Sequence, residues 1–208
     1  MYYDKLALGL LETTGYTPAM VALDEMEKSG NIRVLQAELN DFLGVIIKIA
    51  GPPADVQNAI SAGYEIARRL RGEPVRDVIL KPHPSAWPAI ESAAEFNPLI
   101  QQNVVHEPTV MPGTSEKESP QALGFIETQG FTAVFDAIDT ACKTAGVEVV
   151  GKEKLGGGFV TVVIRGDVAA VTTAIEAGQA QVEGLGKLIA AHVIPRPSEG
   201  VLSLLPGN

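Results

Sequence analysis

The sequence predicts an α+β fold built twice: two tandem ferredoxin-like units, each βαββαβ, with the elements in unpermuted order. Three observations carry this reading. The first is a repeat, in which Ala7-Leu8-Gly9-Leu10-Leu11-Glu12-Thr13-Thr14-Gly15 returns as Ala122-Leu123-Gly124-Phe125-Ile126-Glu127-Thr128-Gln129-Gly130, a constant shift of 115 residues as from Gly9 to Gly124. The same shift carries Ala22, Asp24 and Lys28 onto Ala137, Asp139 and Lys143, and Glu38, Ile49 and Gly51 onto Glu153, Ile164 and Gly166. Such a period is too long for a solenoid unit and marks a duplicated domain. The second observation is that strand-like and helix-like runs follow one order in both halves, which favours an antiparallel sheet with helices on one face. The third is composition: hydrophobic residues make up 46% of the 208 and charged residues only 20%. That is more apolar material than two small cores need, so further burial between copies is expected.

In the first half, Leu6 to Glu12 is an apolar run of strand length. Thr17 before Pro18 reads as an N-cap with proline at the first helical position, opening a helix that runs to about Lys28. Ser29-Gly30-Asn31 ends that helix, and Ile32 to Leu39 and Val45 to Ala50 read as two strands, the second rich in β-branched residues. Gly51-Pro52-Pro53 is the next break. A second helix is expected from about Ala54 to Arg71, with Val56, Ala59, Ile60, Gly63 and Ala67 at helical spacing, followed by a closing strand at Val75 to Leu80.

The second half repeats the order: strand Ala122 to Thr128, helix from Thr132, strands Val147 to Glu153 and Phe159 to Arg165, helix from Val168, strand Leu188 to Ile194. Residues 98–120, with Pro98, Pro108, Pro112, Gly113, Ser115, Ser119 and Pro120, read as a linker between a first domain at 1–97 and a second at 121–208. Pro88 is placed to open a short helix just before it.

A net charge of −9 argues against a nucleic-acid or anionic-membrane surface, which needs clustered Lys and Arg. Arg68-Arg69-Leu70-Arg71 reads as a helix end, where cations favour the macrodipole. No signal segment or apolar run of membrane-spanning length is evident, so a cytoplasmic location is expected. Cys142, the single cysteine, reads as a small packed side chain. Glu12 and Glu127 end strands beside Thr-x-Gly and read as turn-stabilising carboxylates. No nucleophile with a base is apparent, and His83, His106 and His192 lack metal-ligand spacing. Neither an enzyme nor a bound cofactor is expected.

The run from Lys152 through Leu155-Gly156-Gly157-Gly158-Phe159 to Gly166-Asp167-Val168, with His192-Val193-Ile194-Pro195-Arg196-Pro197, Ala122-Leu123-Gly124 and Glu127-Thr128, closely resembles the bacterial microcompartment shell domain. The first half resembles the same domain more loosely. Pro82-His83-Pro84-Ser85 with Pro88-Ala89-Ile90 looks like the junction in tandem shell proteins of the propanediol-utilisation type. The resemblance implies a homotrimer whose six domains form a flat pseudohexameric tile with a pore on its threefold axis. Such tiles pack with other shell proteins around encapsulated enzymes, in a shell within the cytoplasm, and small polar metabolites cross the pore.

Carried over by position, the pore loop of the second half is Leu155, Gly156, Gly157 and Gly158, and the shift sets Asn40, Asp41 and Phe42 opposite it. The family's tile-edge lysine falls on Lys143 and, in the first half, Lys28. Its partner arginine falls on Arg196, while the first half departs with His83. Some tandem members hold an iron–sulfur cluster through a first-half loop cysteine; Asp41 stands there, and hard carboxylate oxygen substitutes poorly for thiolate.

From the residues alone, Gly156-Gly157-Gly158 is a plain tight hairpin, Lys28 and Lys143 are solvated or dipole-favoured cations, and Phe42 suits a core position as well as a pore. With the resemblance, pore and edge roles become the preferred readings. A cytosolic ferredoxin-like sensor binding a small ligand between its halves stands as the alternative, on fold analogy alone.

Overall fold

The structure is a computed structural model that describes residues 6–40, 43–108 and 121–206. Two compact units are present, one spanning Met1–Thr14 and Pro18–Pro108, the other Gly15–Thr17 and Thr109–Asn208.

The first half of the chain follows the expected order: β1 (Ala7–Thr14), α1 (Tyr16–Ser29), whose first two residues belong to the second unit, β2 (Arg33–Asn40), β3 (Gly44–Gly51), α2 (Pro53–Arg69) and β4 (Val75–Ile79). Helix α2 opens on Pro53 with no side-chain cap, and Arg68 and Arg69 lie in its last turn as the macrodipole favours. Its buried stripe is Val56, Ala59, Ile60, Gly63 and Ala67. A 3₁₀ turn at Pro84–Ala86 leads into α3 (Trp87–Ile90). Inside the stretch read as a linker, β6 (Gln102–Asn103) pairs with β5 (Phe96–Asn97), and β7 (Val105–His106) adds to the edge of β2. The sheet order is β4-β1-β3-β2-β7, with antiparallel pairing throughout.

The second unit holds β8 (Ala122–Gln129), α4 (Phe131–Thr144), β9 (Glu148–Gly156), β10 (Phe159–Gly166), α5 (Val168–Ala180) and β11 (Lys187–Ile194), in the sheet order β11-β8-β10-β9. A short α6 (Glu199–Ser203) follows. The core joins Ala122 and Ile126 of β8, Ala133, Ala137 and Ala141 of α4, Ile164 of β10, and Val171, Ala174 and Ile175 of α5. Asp167 caps α5, its carboxylate accepting the Ala170 N–H at 2.9 Å.

Both units repeat the same packing at the level of atoms. A Cβ on Gly9 would lie 2.7–2.8 Å from Ile49, Ile60 and Val56, and one on Gly124 would lie 2.8 Å from Ile175 and Val171. Glycine at this point of the first strand lets the second helix approach the sheet closely. Even an irregularity is duplicated: the β2–β3 register slips between Val34 and Gln36, and the β9–β10 register slips between Val163 and Ile164, skipping Val150, the counterpart of Leu35.

Helix α1 starts at Tyr16, earlier than the expected cap at Thr17. The Thr17 hydroxyl is buried and makes no hydrogen bond, so it is not the cap. The opening amides of Tyr16 and Thr17 go instead to a carboxylate remote in sequence, and Pro18 sits within the first turn, where its missing N–H costs nothing.

Candidate functional site

The β9–β10 turn is a tight hairpin whose glycines Gly156, Gly157 and Gly158 have φ of 85°, 56° and 83°. Positive φ at both central positions is what a two-residue hairpin of the primed kind needs, and glycine alone adopts it without a Cβ penalty. The turn is tied down: Gly130 N–H donates to the Gly158 carbonyl at 2.9 Å, and Gln129 Nε2 donates to the Gly157 carbonyl at 3.2 Å. Gly157 is exposed, whereas Leu155 beside it is buried.

The corresponding β2–β3 turn has a different interior. Asn40 Nδ2 donates to Glu12 Oε1 at 2.6 Å, while its Oδ1 accepts the Gly44 N–H at 2.8 Å, so this half-buried amide braces its own turn. Leu43 follows at φ 65°, and a Cβ on Gly44 would overlap the Thr13 carbonyl oxygen at 1.7 Å. Asp41 and Phe42 lie outside the described residues.

Lys28 and Lys143 both reach back one turn, to Asp24 and Asp139, in i,i+4 ion pairs at 2.5 Å. An acid N-terminal to the base at this spacing is the favourable order on a helix. Hydrogen bonding and charge attraction from Asp139 raise the pKa of Lys143 from its ordinary value. The Lys143 ammonium is the more open of the two, with its side chain 74% exposed against 45% for Lys28. His83 Nδ1 accepts the Ser85 N–H at 3.3 Å and so caps the 3₁₀ turn. Arg196 is exposed and has no hydrogen bond or ion pair among the described residues.

Cys142 is exposed rather than packed. The buried stripe of α4 is Ala133, Val134, Ala137 and Ala141, and position 142 falls just past it. Burial, then the Asp139 charge, push its thiol pKa up, which works against thiolate reactivity.

Glu127, expected to end a strand and stabilise the adjoining turn, instead lies inside β8 and receives amides remote in sequence. It is fully buried in the second unit, where Oε1 accepts the Tyr16 N–H at 2.9 Å and Oε2 accepts the Thr17 N–H at 2.8 Å. Tyr16, buried too, donates its hydroxyl to the Leu204 carbonyl at 3.0 Å. Desolvation raises the Glu127 pKa, and the two backbone N–H groups oppose it less strongly. The buried hydroxyls of Thr17 and Thr161 favour the ionised form more weakly still, and neither reaches good hydrogen-bond geometry. The Tyr16 phenol is pushed well above its ordinary value by burial and then by the charges of Glu153 and Glu127.

Two stretches of the chain, residues 7–84 and 122–197, match the BMC domain family. The chain belongs to that family. Its two BMC domains coincide with the two halves of the repeat. Over 202 residues the chain is 30% identical to the carboxysome assembly protein CcmO of Synechococcus elongatus, covering 96% of this chain and 68% of that one. Over 86 residues it is 50% identical to the bacterial microcompartment shell protein PduA of Citrobacter freundii, covering 41% of this chain and 92% of that one. A solved structure of a microcompartments protein from Desulfitobacterium hafniense DCB is 28% identical, with 93% of this chain and 96% of that one covered and a TM-score of 0.38.

Within the two matched stretches, Asn40 and Gly156–Gly158 lie at the β2–β3 and β9–β10 turns, Lys28 and Lys143 in the last turn of the first helix, and His83 and Arg196 after the last strand. No helix among the described residues is long and apolar enough to cross a membrane. The ion pairs of the two lysines were not among the sequence-based expectations, which left Lys28 and Lys143 as solvated, dipole-favoured or tile-edge cations; the repeated i,i+4 spacing of Asp24 to Lys28 and Asp139 to Lys143 is the signal that marks them. The partners of Glu127 carried no such local signal.

Proposed function

We propose that this chain is a structural shell protein of a bacterial microcompartment. Three copies close into a ring of six BMC domains, a pseudohexameric tile. Tiles join edge to edge with each other and with other shell proteins around enclosed enzymes. The observation that carries this reading is the presence of two BMC domains in one chain, together with similarity along nearly its whole length to a carboxysome assembly protein. Two fused, similar but non-identical domains offer complementary edges, and a head-to-tail contact between them closes after three chains with pseudo-sixfold symmetry.

In this reading the hairpin turns surround a central pore. Gly156, Gly157 and Gly158 leave backbone groups uncovered by side chains, suited to small polar solutes. Asn40, Asp41 and Phe42 belong to the alternating loops. Three Asp41 carboxylates about 8 Å apart would repel by roughly 2 kcal/mol per pair at an effective dielectric near 20, disfavouring anions relative to neutral solutes. Lys28, His83, Lys143 and Arg196 serve the tile edges, with Lys143 and Arg196 reaching carbonyls of the neighbouring tile.

Electron microscopy of the concentrated protein tests the tile: sheets, tubes or shells are expected, and a discrete soluble oligomer at every concentration overturns it. Flux through assembled shells tests the pore. Asp41→Asn is expected to shift selectivity toward anions, and an unchanged selectivity removes Asp41 from the pore lining.

A further inference from the structure

Two equivalent stretches of the repeat end in opposite states. Gly15, Tyr16 and Thr17 are buried, and the Tyr16 and Thr17 amides donate to Glu127. Their counterparts, 115 residues on, are Gly130, Phe131 and Thr132. There Phe131 is 40% exposed, Thr132 is exposed, and no side chain among the described residues caps α4. The contrast continues one turn further, since Met20 is fully buried while its counterpart Phe135 is 48% exposed. Phe131 and Phe135 pack edge to face with centroids 5.9 Å apart, an apolar pair on the surface beside an uncapped helix start.

The carboxylates divide in the same way. Glu127 on β8 is fully buried with both oxygens engaged. Glu12 holds the same position on β1 but is only half-buried; Oε1 takes Asn40 Nδ2, and no hydrogen bond among the described residues reaches Oε2. Each repeat therefore owns a strand carboxylate and a helix start. Within the second unit, which includes Gly15–Thr17, one such pair is joined, whereas among the described residues neither Oε2 of Glu12 nor the Phe131 and Thr132 N–H groups have a side-chain partner.

We propose that Glu12 of one copy caps helix α4 of a second copy of this chain, accepting the Phe131 and Thr132 N–H groups as Glu127 accepts those of Tyr16 and Thr17. Phe131 and Phe135 are buried in the same contact. A carboxylate there satisfies two of the amides that lack an intrahelical partner and faces the positive end of the helix dipole. Its acceptor capacity allows Oε1 to keep Asn40 as well. Because one copy gives the carboxylate and the other the helix, the contact is heterologous, and on the trimeric reading it closes as a ring. The proposal rests on the trimeric reading above and names the atoms that close it.

The test uses the full chain and its Glu12→Gln variant, with sedimentation across a concentration series and residue-resolved amide exchange. A glutamine offers one acceptor and turns its NH₂ toward the other amide. In the assembled wild type, the Phe131 and Thr132 amides are expected to exchange far more slowly than in the dissociated chain. Glu12→Gln is expected to raise the half-assembly concentration roughly tenfold to hundredfold per contact and to restore fast exchange at those two amides. Slow exchange at Tyr16 and Thr17 in the variant reports that its fold is intact; should the variant fail to fold, exchange in the wild type decides alone. A wild type that stays monomeric overturns the ring reading and this proposal together. A trimer whose Phe131 and Thr132 amides exchange freely, or whose folded Glu12→Gln variant assembles as before, overturns the cap and leaves the ring standing.

Discussion

Lys48 of β3 forms an ion pair with Glu38 of β2 inside the first unit, and its ammonium also donates to the Ile90 carbonyl. The Ser92 hydroxyl lies 3.5 Å from the same nitrogen, and Gln36 Nε2 donates to the Ser92 carbonyl at 2.7 Å. One buried lysine thus ties the segment after α3 to the sheet. In the second unit its counterpart is Val163, which asks for no such partner.

Replacing Lys48 by Met is expected to destabilise the first unit by about 2–3 kcal/mol, since Glu38 would remain largely buried without its cation. Pairing Lys48→Met with Glu38→Gln should recover part of that loss. Trp87, the single tryptophan, sits in α3 beside the anchor and reports the transition by fluorescence in urea. A Lys48→Met midpoint equal to that of the wild type would remove the ion pair from the stability of this unit.

Glu127 gives a pH dependence with a definite sign. Its folded pKa is raised from the ordinary value of 4.5, so the folded chain holds this proton more tightly than the unfolded chain. The corresponding stability is fully present below 4.5 and is lost as pH rises through the folded pKa. In Glu127→Gln that component disappears. The difference in unfolding free energy between the two proteins should therefore fall against the wild type as pH rises from about 4.5 through the raised value. A difference that does not vary with pH would contradict the shift.

Two kinds of glycine are expected to fail differently. Gly9→Ala and Gly124→Ala press a methyl into helix side chains at 2.7–2.8 Å and should each cost about 1–3 kcal/mol, read from thermal or urea unfolding. Gly157→Ala meets its cost in backbone geometry, at φ 56°, and should lose about 1–2 kcal/mol with the fold retained. A variant that unfolds at the wild-type midpoint would remove the cause stated for that glycine.

On the tile reading proposed above, Lys143→Ala and Arg196→Ala should leave the folded oligomer intact and weaken edge-to-edge assembly, seen as fewer or smaller sheets by electron microscopy. The Lys143 pair with Asp139 is open to water, so its loss should barely move the unfolding midpoint. A contact repeated at every tile edge multiplies a small change by avidity. Undiminished sheets in both variants would reduce these residues to solvated charges.

Much of this protein was legible in its residues. The repeat fixed two units in one element order, because the same apolar periodicities and the same Gly and Pro breaks recur at one shift, and local pattern governs local structure. The Asp–Lys pairs and the triple-glycine hairpin were equally local: an i,i+4 spacing and a demand for positive φ are written within a few residues. Contacts between residues far apart in the chain were not. Glu12 and Glu127 stand in nearly the same local sequence, yet only Glu127 is fully buried, receiving amides 110 and 111 residues away. Likewise Lys48 gains its meaning from Ile90 and Ser92, and β7 joins β2 out of a stretch that composition marks as a linker. Periodicity reports which face a side chain is on, whereas what covers that face depends on which distant surface arrives there. Only the tertiary structure decides that, by the need to bury apolar area while leaving no buried amide or carboxylate without a partner.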